Sequence, residues 1–191
     1  MILVVDNSKD LSTAQMTPKL IDYLVATSCV PIVVASTPSQ VRSCLSSYKL
    51  TGAILSGGPL LLTERTRVEQ YSQNIMTLLH MERHRCPILG ICFGMQVMAA
   101  SYGGRVSGMR SKIHGKEWVL RTGESLLLGP DRVFEVIASH QDRVVDVPIG
   151  FKVTSRYRST HDSVQSMEDP VNLRFGLQFH PEGNRKGHEI I

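Results

Sequence analysis

The 191-residue chain has few cysteines and no long apolar run, and each shortage narrows the classes of protein open to it. The cysteines show no C-x-x-C spacing, which argues against a disulfide scaffold and a zinc site; they are Cys29, Cys44, Cys86 and Cys92. Apolar runs such as Ile32–Ala35 fall far short of the roughly 18 residues that cross a membrane. Residues 1–6 lack the basic segment of a signal peptide, so we expect a cytoplasmic protein without membrane contact.

Charge and aromatic content are also low. The net charge is only +4, and the basic clusters at residues 83–85 and 185–186 contain no aromatic residue, which argues against a nucleic-acid surface. The sequence also lacks a P-loop, a Gly-x-Gly-x-x-Gly motif and metal-ligand spacing among its histidines. We therefore predict no cofactor, no metal site and no nucleic-acid partner.

The first half of the chain predicts an alternation of apolar strands and helices. Strands are predicted at Ile2–Val5, residues 31–35, Gly52–Leu55 and residues 87–91. Helices are predicted after each strand, starting near Thr17, Pro38, Thr63 and Phe93. Strands that alternate with helices in this way form a parallel sheet covered on both faces.

The second half of the chain predicts mainly strands and little helix. Strands are predicted at residues 105–107, 117–121, 125–128, 135–138, 151–155, 163–167 and 173–179, many of them antiparallel. No linker or repeat divides the chain. We therefore predict one doubly wound α/β domain over residues 1–191, with a mostly parallel central sheet, helices on both faces and an added antiparallel β portion. The active site of such a domain lies where the carboxyl ends of the strands meet.

The most informative motif is Gly-Ile-Cys-Phe-Gly at residues 90–94, a cysteine version of the G-x-S-x-G nucleophile elbow. It joins a predicted strand to a predicted helix, which is the context that an elbow needs. The glycines permit a sharp turn, and the helix amino terminus favours a thiolate at Cys92. The amide that follows the nucleophile, Phe93 N–H, is placed to stabilise an oxyanion.

A second motif, His-Pro-Glu at residues 180–182, follows the last predicted strand, 88 residues (180 minus 92) after the cysteine. A cysteine nucleophile needs a base and a group that orients the base. Side chains two residues apart on an extended segment point to the same side, so Glu182 can hold one nitrogen of His180 while the other faces Cys92. The two motifs together predict a Cys92, His180 and Glu182 catalytic triad.

Three motifs together resemble the signatures of the class I, triad-type glutamine amidotransferases. They are Gly-Ile-Cys-Phe-Gly-Met-Gln at residues 90–96, Ile-Leu-Ser-Gly-Gly-Pro at residues 54–59 and Gly-Leu-Gln-Phe-His-Pro-Glu at residues 176–182. The resemblance implies the flavodoxin-like fold of that family and hydrolysis of L-glutamine. It also implies a second oxyanion donor, Gly58 N–H, and substrate contacts from Gln96, Ser139, His140, Gln141 and Asp142, with His140 expected to anchor its loop.

The choice among members of the family depends on shorter motifs. Ser-His-Gln-Asp-Arg-Val at residues 139–144 and Pro-x-Gly-Phe at residues 148–151 most resemble the stand-alone glutaminase subunit of GMP synthase, which passes ammonia to a partner synthase chain. Ile-His-Gly-Lys at residues 113–116 resembles the anthranilate and aminodeoxychorismate synthase glutaminases, although their Tyr-His-Ser-Leu loop is absent. A γ-glutamyl peptide hydrolase and a non-catalytic regulatory subunit stay open as alternatives.

Overall fold

The structure, a computed structural model, describes residues 1–8, 16–27, 30–64, 68–159 and 163–184. Strands and helices alternate through its first half, as the sequence predicts: β1 (Ile2–Val5), α1 (Thr17–Thr27), β2 (Ile32–Ala35), α2 (Pro38–Ser47), β3 (Gly52–Leu55), α3 (Val68–His84), β4 (Ile88–Ile91) and α4 (Phe93–Ser101). Five strands follow: β5 (Arg105–Arg121), β6 (Val133–Asp146), β7 (Lys152–Tyr157), β8 (Val164–Asp169) and β9 (Arg174–Leu177).

These strands form a nine-stranded sheet in the order β2-β1-β3-β4-β9-β8-β7-β5-β6. The first five strands in that order are parallel, and the remaining pairings are antiparallel. The last strand of the chain returns to lie beside β4, with Leu177 opposite Ile91. The segments that follow these two residues therefore leave the sheet at the same edge, and they carry His180 and Cys92.

Helices cover both faces of the parallel part, so the predicted α/β layering is confirmed. On one face, Leu3 and Val5 of β1 pack in a cluster with Val41 of α2 and Leu78 of α3. On the other face, Val4 packs with residues of α1. Parallel strands that are buried on both faces need apolar residues at successive positions, and the continuous apolar sequences of β1 and β3 meet that need.

The antiparallel part differs from the sequence prediction in its strand lengths. Two short strands were expected within residues 105–121, but β5 is a single strand of 17 residues. Its partner β6 runs on through residues 139–142, which the sequence analysis placed in a loop. Pairing between the two long strands satisfies their backbone groups, which local sequence patterns do not reveal.

Residues 125–128, predicted as a strand, form a bent segment instead. The Ser125 hydroxyl oxygen accepts the Leu127 and Leu128 amides at 3.2 and 2.8 Å. The Glu168 carboxylate accepts the Leu126 amide at 2.9 Å. Because these amides bind side-chain oxygens, they are not available to a strand ladder, and the strand prediction is wrong here.

Candidate active site

Cys92 occupies the sharp turn between β4 and α4, as the elbow motif predicts. Its backbone has φ 50° and ψ −105°, a conformation that residues with a side chain rarely adopt. Such strain persists only when the surroundings enforce it, and the Cys92 amide donates to the Leu177 carbonyl of β9 at 2.7 Å. Both flanking glycines are also required: a Cβ at Gly90 would lie 2.7 Å from the Gly94 carbonyl carbon, and one at Gly94 would overlap the Leu55 carbonyl oxygen.

His180 is held by its backbone and by its ring. Its amide donates to the Ile137 carbonyl of β6 at 2.8 Å, and its Nδ1 lies 2.8 Å from Glu182 Oε1. The connection between the two side chains is a short 3-10 turn, Pro181–Gly183, and not the extended segment that the sequence analysis assumed. The turn brings Glu182 back to the imidazole and so achieves the same contact.

The charge of His180 follows from its two neighbours. Burial lowers the pKa of His180, but hydrogen bonding and charge attraction from Cys92 and Glu182 outweigh burial and raise the pKa to about 10. His180 and Glu182 are only 5% and 4% exposed, so water screens these interactions weakly. A protonated imidazole between a carboxylate and a sulfur is the arrangement of an activated cysteine nucleophile.

The Ser-Gly-Gly-Pro loop at residues 56–59 lies against this triad. A Cβ on Gly57 would lie 2.7 Å from His180 Cε1 and 3.4 Å from Cys92 Cβ. A Cβ on Gly58 would lie 2.5 Å from the Asn7 carbonyl oxygen. Contacts below 3.0 Å do not occur between such atoms, so neither glycine has room for a side chain. The loop approaches the triad this closely because both side chains are missing.

Two amides near the sulfur are available to a ligand. Among the described residues, neither Gly58 N–H nor Phe93 N–H donates a hydrogen bond to a protein acceptor. Phe93 is the first residue of α4, where amides have no acceptor within the helix. These are the two donors that the sequence analysis assigned to the oxyanion hole.

A cavity of about 150 Å³ opens beside Cys92 and Gly58. All five residues assigned to the substrate line it: Gln96, Ser139, His140, Gln141 and Asp142. Leu60, Leu61 and Lys112 contribute further to its wall. Within the described residues, no three His, Cys, Asp or Glu side chains are grouped to hold a metal ion.

Gln96 and Asp142 each have a protein partner at this cavity. Gln96 Nε2 donates to the Asp142 carbonyl at 2.8 Å and to Gln178 Oε1 at 3.3 Å. The Asp142 carboxylate accepts the Thr63 amide and the Thr63 hydroxyl, both at 2.8 Å. Thr63, predicted to cap α3, thus joins its loop to β6.

His140 is held in the cavity wall by hydrogen bonds at both ring nitrogens. Its Nδ1 lies 2.9 Å from the Asp142 carbonyl oxygen, which only accepts, so Nδ1 carries the proton. Its Nε2 then accepts from the Tyr157 hydroxyl at 2.8 Å. Burial lowers the pKa of His140 to about 4, so the ring is neutral at pH 7.

Lys112, which was not predicted as a site residue, is a cation in the cavity wall. Between the pairs Gly108–Asp142 and Ile113–His140, β5 has four residues (109–112) and β6 has one (141). This bulge brings Lys112 to the cavity beside Gln141. Nothing in the local pattern marks the bulge, because it depends on the register of two distant strands.

Comparison with known proteins assigns the family. The family model for glutamine amidotransferase class-I matches residues 3–190, nearly the whole chain. The chain therefore belongs to the class I glutamine amidotransferases. Among the described residues, no helix has the length and apolarity to span a membrane.

Within this family, the chain is similar to GMP synthases. It is 37% identical over 163 residues to the glutamine-hydrolyzing GMP synthase of Nitrosococcus oceani, which covers 80% of this chain and 29% of that protein. It is 34% identical over 158 residues to the enzyme of Methylococcus capsulatus, with 77% and 28% covered. The chain thus spans less than a third of the length of these relatives.

Solved structures show the same fold. A candidate GMP synthase subunit from Thermoplasma acidophilum superimposes with a TM-score of 0.78 at 26% identity, with 99% of this chain and 88% of that chain covered. A glutamine amidotransferase from Thermotoga maritima gives a TM-score of 0.76 at 17% identity, with 97% and 77% covered. The predicted fold class is therefore confirmed.

Proposed function

We propose that this chain hydrolyses L-glutamine to glutamate and ammonia through a γ-glutamyl thioester on Cys92. The observation that carries the proposal is the position of His180: its Nδ1 lies 2.8 Å from Glu182 Oε1, and its ring and the Cys92 side chain both lie against Gly57. Membership of the glutamine amidotransferase family supports the choice of an amide substrate. The free cysteines Cys44 and Cys86 suit a reducing compartment, and we place the reaction in the cytoplasm.

The reaction proceeds in two halves. The Cys92 thiolate attacks the amide carbon of the substrate, and the carbonyl becomes an oxyanion. His180 then gives its proton to the leaving nitrogen, so that ammonia departs and the thioester remains. In the second half, neutral His180 takes a proton from water, which attacks the thioester and releases glutamate. Glu182 stabilises the imidazolium and keeps the ring oriented in both halves.

Gly58 N–H and Phe93 N–H are the proposed donors to the oxyanion. Both amides lack a protein acceptor among the described residues, and Gly58 lines the cavity that holds the reacting carbon. A donor of this kind contributes roughly 3 kcal/mol of transition-state stabilisation. The pair therefore accounts for a large part of the expected rate enhancement.

The cavity wall supplies the remaining substrate contacts. We propose that Gln96, Ser139, Gln141 and Asp142 bind the amino and carboxylate groups of glutamine, partly through the backbone, while His140 keeps their strand in place. The oxygen of the Gln96 amide is available to the substrate, because the nitrogen already binds Asp142 and Gln178. Lys112 adds a positive charge at the same wall, which suits the α-carboxylate.

We further propose that the ammonia passes to a synthase on a separate chain, of the GMP synthase type. Similarity to the glutamine-hydrolyzing GMP synthases favours this acceptor over the anthranilate and aminodeoxychorismate synthases. Docking on a partner is expected to keep the ammonia from being protonated in water.

The direct test uses 6-diazo-5-oxo-norleucine, a glutamine-shaped electrophile, followed by intact-mass measurement and peptide mapping. We expect one adduct, on Cys92, that excess glutamine suppresses. Cys86→Ala serves as the matched control, since Cys86 is a free cysteine that is partly exposed, and it should be labelled like the wild type. Cys92→Ala should take up no label and hydrolyse no glutamine while it stays folded.

The same assay separates the alternatives. Labelling that glutamine fails to suppress, together with release of amines from γ-glutamyl amides, would replace glutaminase by γ-glutamyl hydrolase. A wild-type protein without any adduct, whose Cys92 still reacts with iodoacetamide, would contradict the proposed substrate.

A further inference from the structure

The peptide bond between Gly57 and Gly58 needs a partner that fixes its orientation. Close approach to His180 and Asn7 excludes a side chain at either glycine. Glycine, however, rotates more freely than other residues, so a Gly-Gly peptide reorients easily. Its rotation would exchange the Gly58 N–H for the Gly57 carbonyl oxygen at the same place. A carbonyl there would repel an oxyanion that the amide is meant to stabilise.

Ser56 supplies that partner. Its hydroxyl lies 2.9 Å from the Gly57 carbonyl oxygen and also 2.9 Å from the Asn7 amide nitrogen. The Asn7 amide only donates, so it occupies an acceptor position on the hydroxyl oxygen. The single hydroxyl proton is therefore directed to the Gly57 carbonyl. Ser56 is 2% exposed, so water does not compete strongly for either bond.

The direction of the Gly57 carbonyl decides that of the Gly58 amide. The described residues contain no cis peptide bond, and in a trans peptide the C=O and N–H groups point in opposite directions. With its carbonyl bound to Ser56, the peptide turns the Gly58 N–H away from Ser56, and this amide has no protein acceptor among the described residues. Gly58 lines the cavity next to Cys92.

We propose that Ser56 is a positioning residue, whose hydroxyl holds the Gly57–Gly58 peptide in the orientation that presents Gly58 N–H to the oxyanion. This inference rests on the proposed glutaminase function. It assigns to the serine of the Ser-Gly-Gly-Pro loop a role that is separate from the close packing of the two glycines.

The position of Ser56 is itself fixed by a buried amide network. Asn7 Nδ2 donates to the Ser56 carbonyl at 2.8 Å, and Asn7 Oδ1 accepts from Asn74 Nδ2 at 2.7 Å and from Gln73 Nε2 at 3.1 Å. Gln73 and Asn74 belong to α3, and all of these groups are buried. The loop is thereby joined to the helix layer. Asn7 is hydrogen-bonded to Ser56, and its carbonyl oxygen also lies close to Gly58.

The experiment compares wild-type protein with Ser56→Ala and Ser56→Thr in three assays. Steady-state hydrolysis of glutamine gives kcat and KM. The γ-aldehyde of glutamate, which forms a tetrahedral adduct with Cys92, reports on oxyanion stabilisation without turnover. Alkylation by iodoacetamide reports on the thiolate alone, because no oxyanion forms in that displacement.

For Ser56→Ala we expect kcat and the affinity for the aldehyde to fall about tenfold, which corresponds to about 1.4 kcal/mol. The KM for glutamine and the rate of alkylation should stay within about twofold of wild type. Ser56→Thr keeps the hydroxyl and should restore most of both losses. Ser101→Ala is the matched control, because the Ser101 hydroxyl also donates to a backbone carbonyl, at 2.6 Å, but at the far end of α4.

Asn74→Ala provides a second variant should Ser56→Ala fail to fold. It keeps the hydroxyl but removes a group that holds Asn7, so kcat and aldehyde affinity should fall severalfold at nearly constant KM. Wild-type kcat and aldehyde affinity in folded Ser56→Ala would overturn the role of Ser56 and leave the glutaminase intact. A wild-type protein that neither hydrolyses glutamine nor binds the aldehyde would overturn both proposals.

Discussion

Replacement of Gly57 by alanine tests the triad geometry most directly. The added methyl carbon would lie 2.7 Å from His180 Cε1, whereas carbon atoms in contact are about 3.5–4.0 Å apart. The imidazole or the loop must therefore move by about 1 Å. The ring has little freedom, because it is 5% exposed and bound to Glu182 at 2.8 Å. A displacement of about 1 Å in catalytic geometry lowers a rate by roughly 100-fold.

The effect on stability should be much smaller. Overpacking of a buried site costs about 1–3 kcal/mol, which lowers the Tm of a protein of this size by roughly 3–10 °C. We therefore expect Gly57→Ala to lower kcat for glutamine about 100-fold while the protein stays folded at 25 °C. Alkylation of Cys92 should also slow, because the displaced imidazole supports the thiolate less well.

Gly129→Ala is the control for the glycine substitution. A Cβ at Gly129 meets no atom within 4 Å, so neither kcat nor Tm should change measurably. A Gly57→Ala variant with wild-type kcat and wild-type alkylation rate would refute this prediction. Such a result would mean that the loop at residues 56–59 does not press on the imidazole in solution.

Three further predictions concern ionisable groups. Glu182→Gln removes a carboxylate that raises the pKa of His180, so the alkaline limb of the kcat profile, near pH 10 in wild type, should move about one unit lower; an unmoved limb would contradict this role. The pKa of His140 is lowered to about 4, so between pH 6.5 and 4 the unfolded chain binds a proton that the folded one does not, and stability decreases as the pH is lowered through this range. Urea unfolding at pH 7 and 4.5 should show that His140→Gln removes up to about 3 kcal/mol of this decrease, and an equal decrease in both proteins would speak against it. Lys112→Ala should raise KM about fivefold at constant kcat, whereas Lys116→Ala, which breaks an exposed pair with Glu135, should leave KM unchanged; equal effects of the two would exclude a substrate contact.

The parallel half of the fold and the position of Cys92 could be predicted because their signals are local. Each of the strands β1 to β4 is a short apolar run next to a helix. The elbow motif consists of five consecutive residues, 90–94. The antiparallel half could not be predicted to the same detail. Its strands β5 and β6 are long because they pair with each other, and the register of a pair depends on residues far apart in the chain.

The same distinction separates the residues of the site. His180 and Glu182 could be predicted as site residues because they are only two residues apart in the sequence. The 3-10 turn that connects them was not predicted. Lys112, Thr63 and Ser56 were not assigned functional positions because each depends on a distant element. Lys112 depends on the pairing of β5 with β6, Thr63 on the Asp142 carboxylate and Ser56 on the Asn7 amide. Polar residues of this kind carry no periodic pattern that reveals a tertiary partner.

The insertion of β9 beside β4 has a consequence for the order in which the site is assembled during folding. The Cys92 amide donates to Leu177, so the strained elbow acquires this support only when the last strand docks. The same event delivers His180. Contacts between segments so far apart in sequence form late, because a long loop must close first. A nascent or partly folded chain therefore lacks both the support of the elbow and the proposed base, and the site is complete only once the sheet is complete.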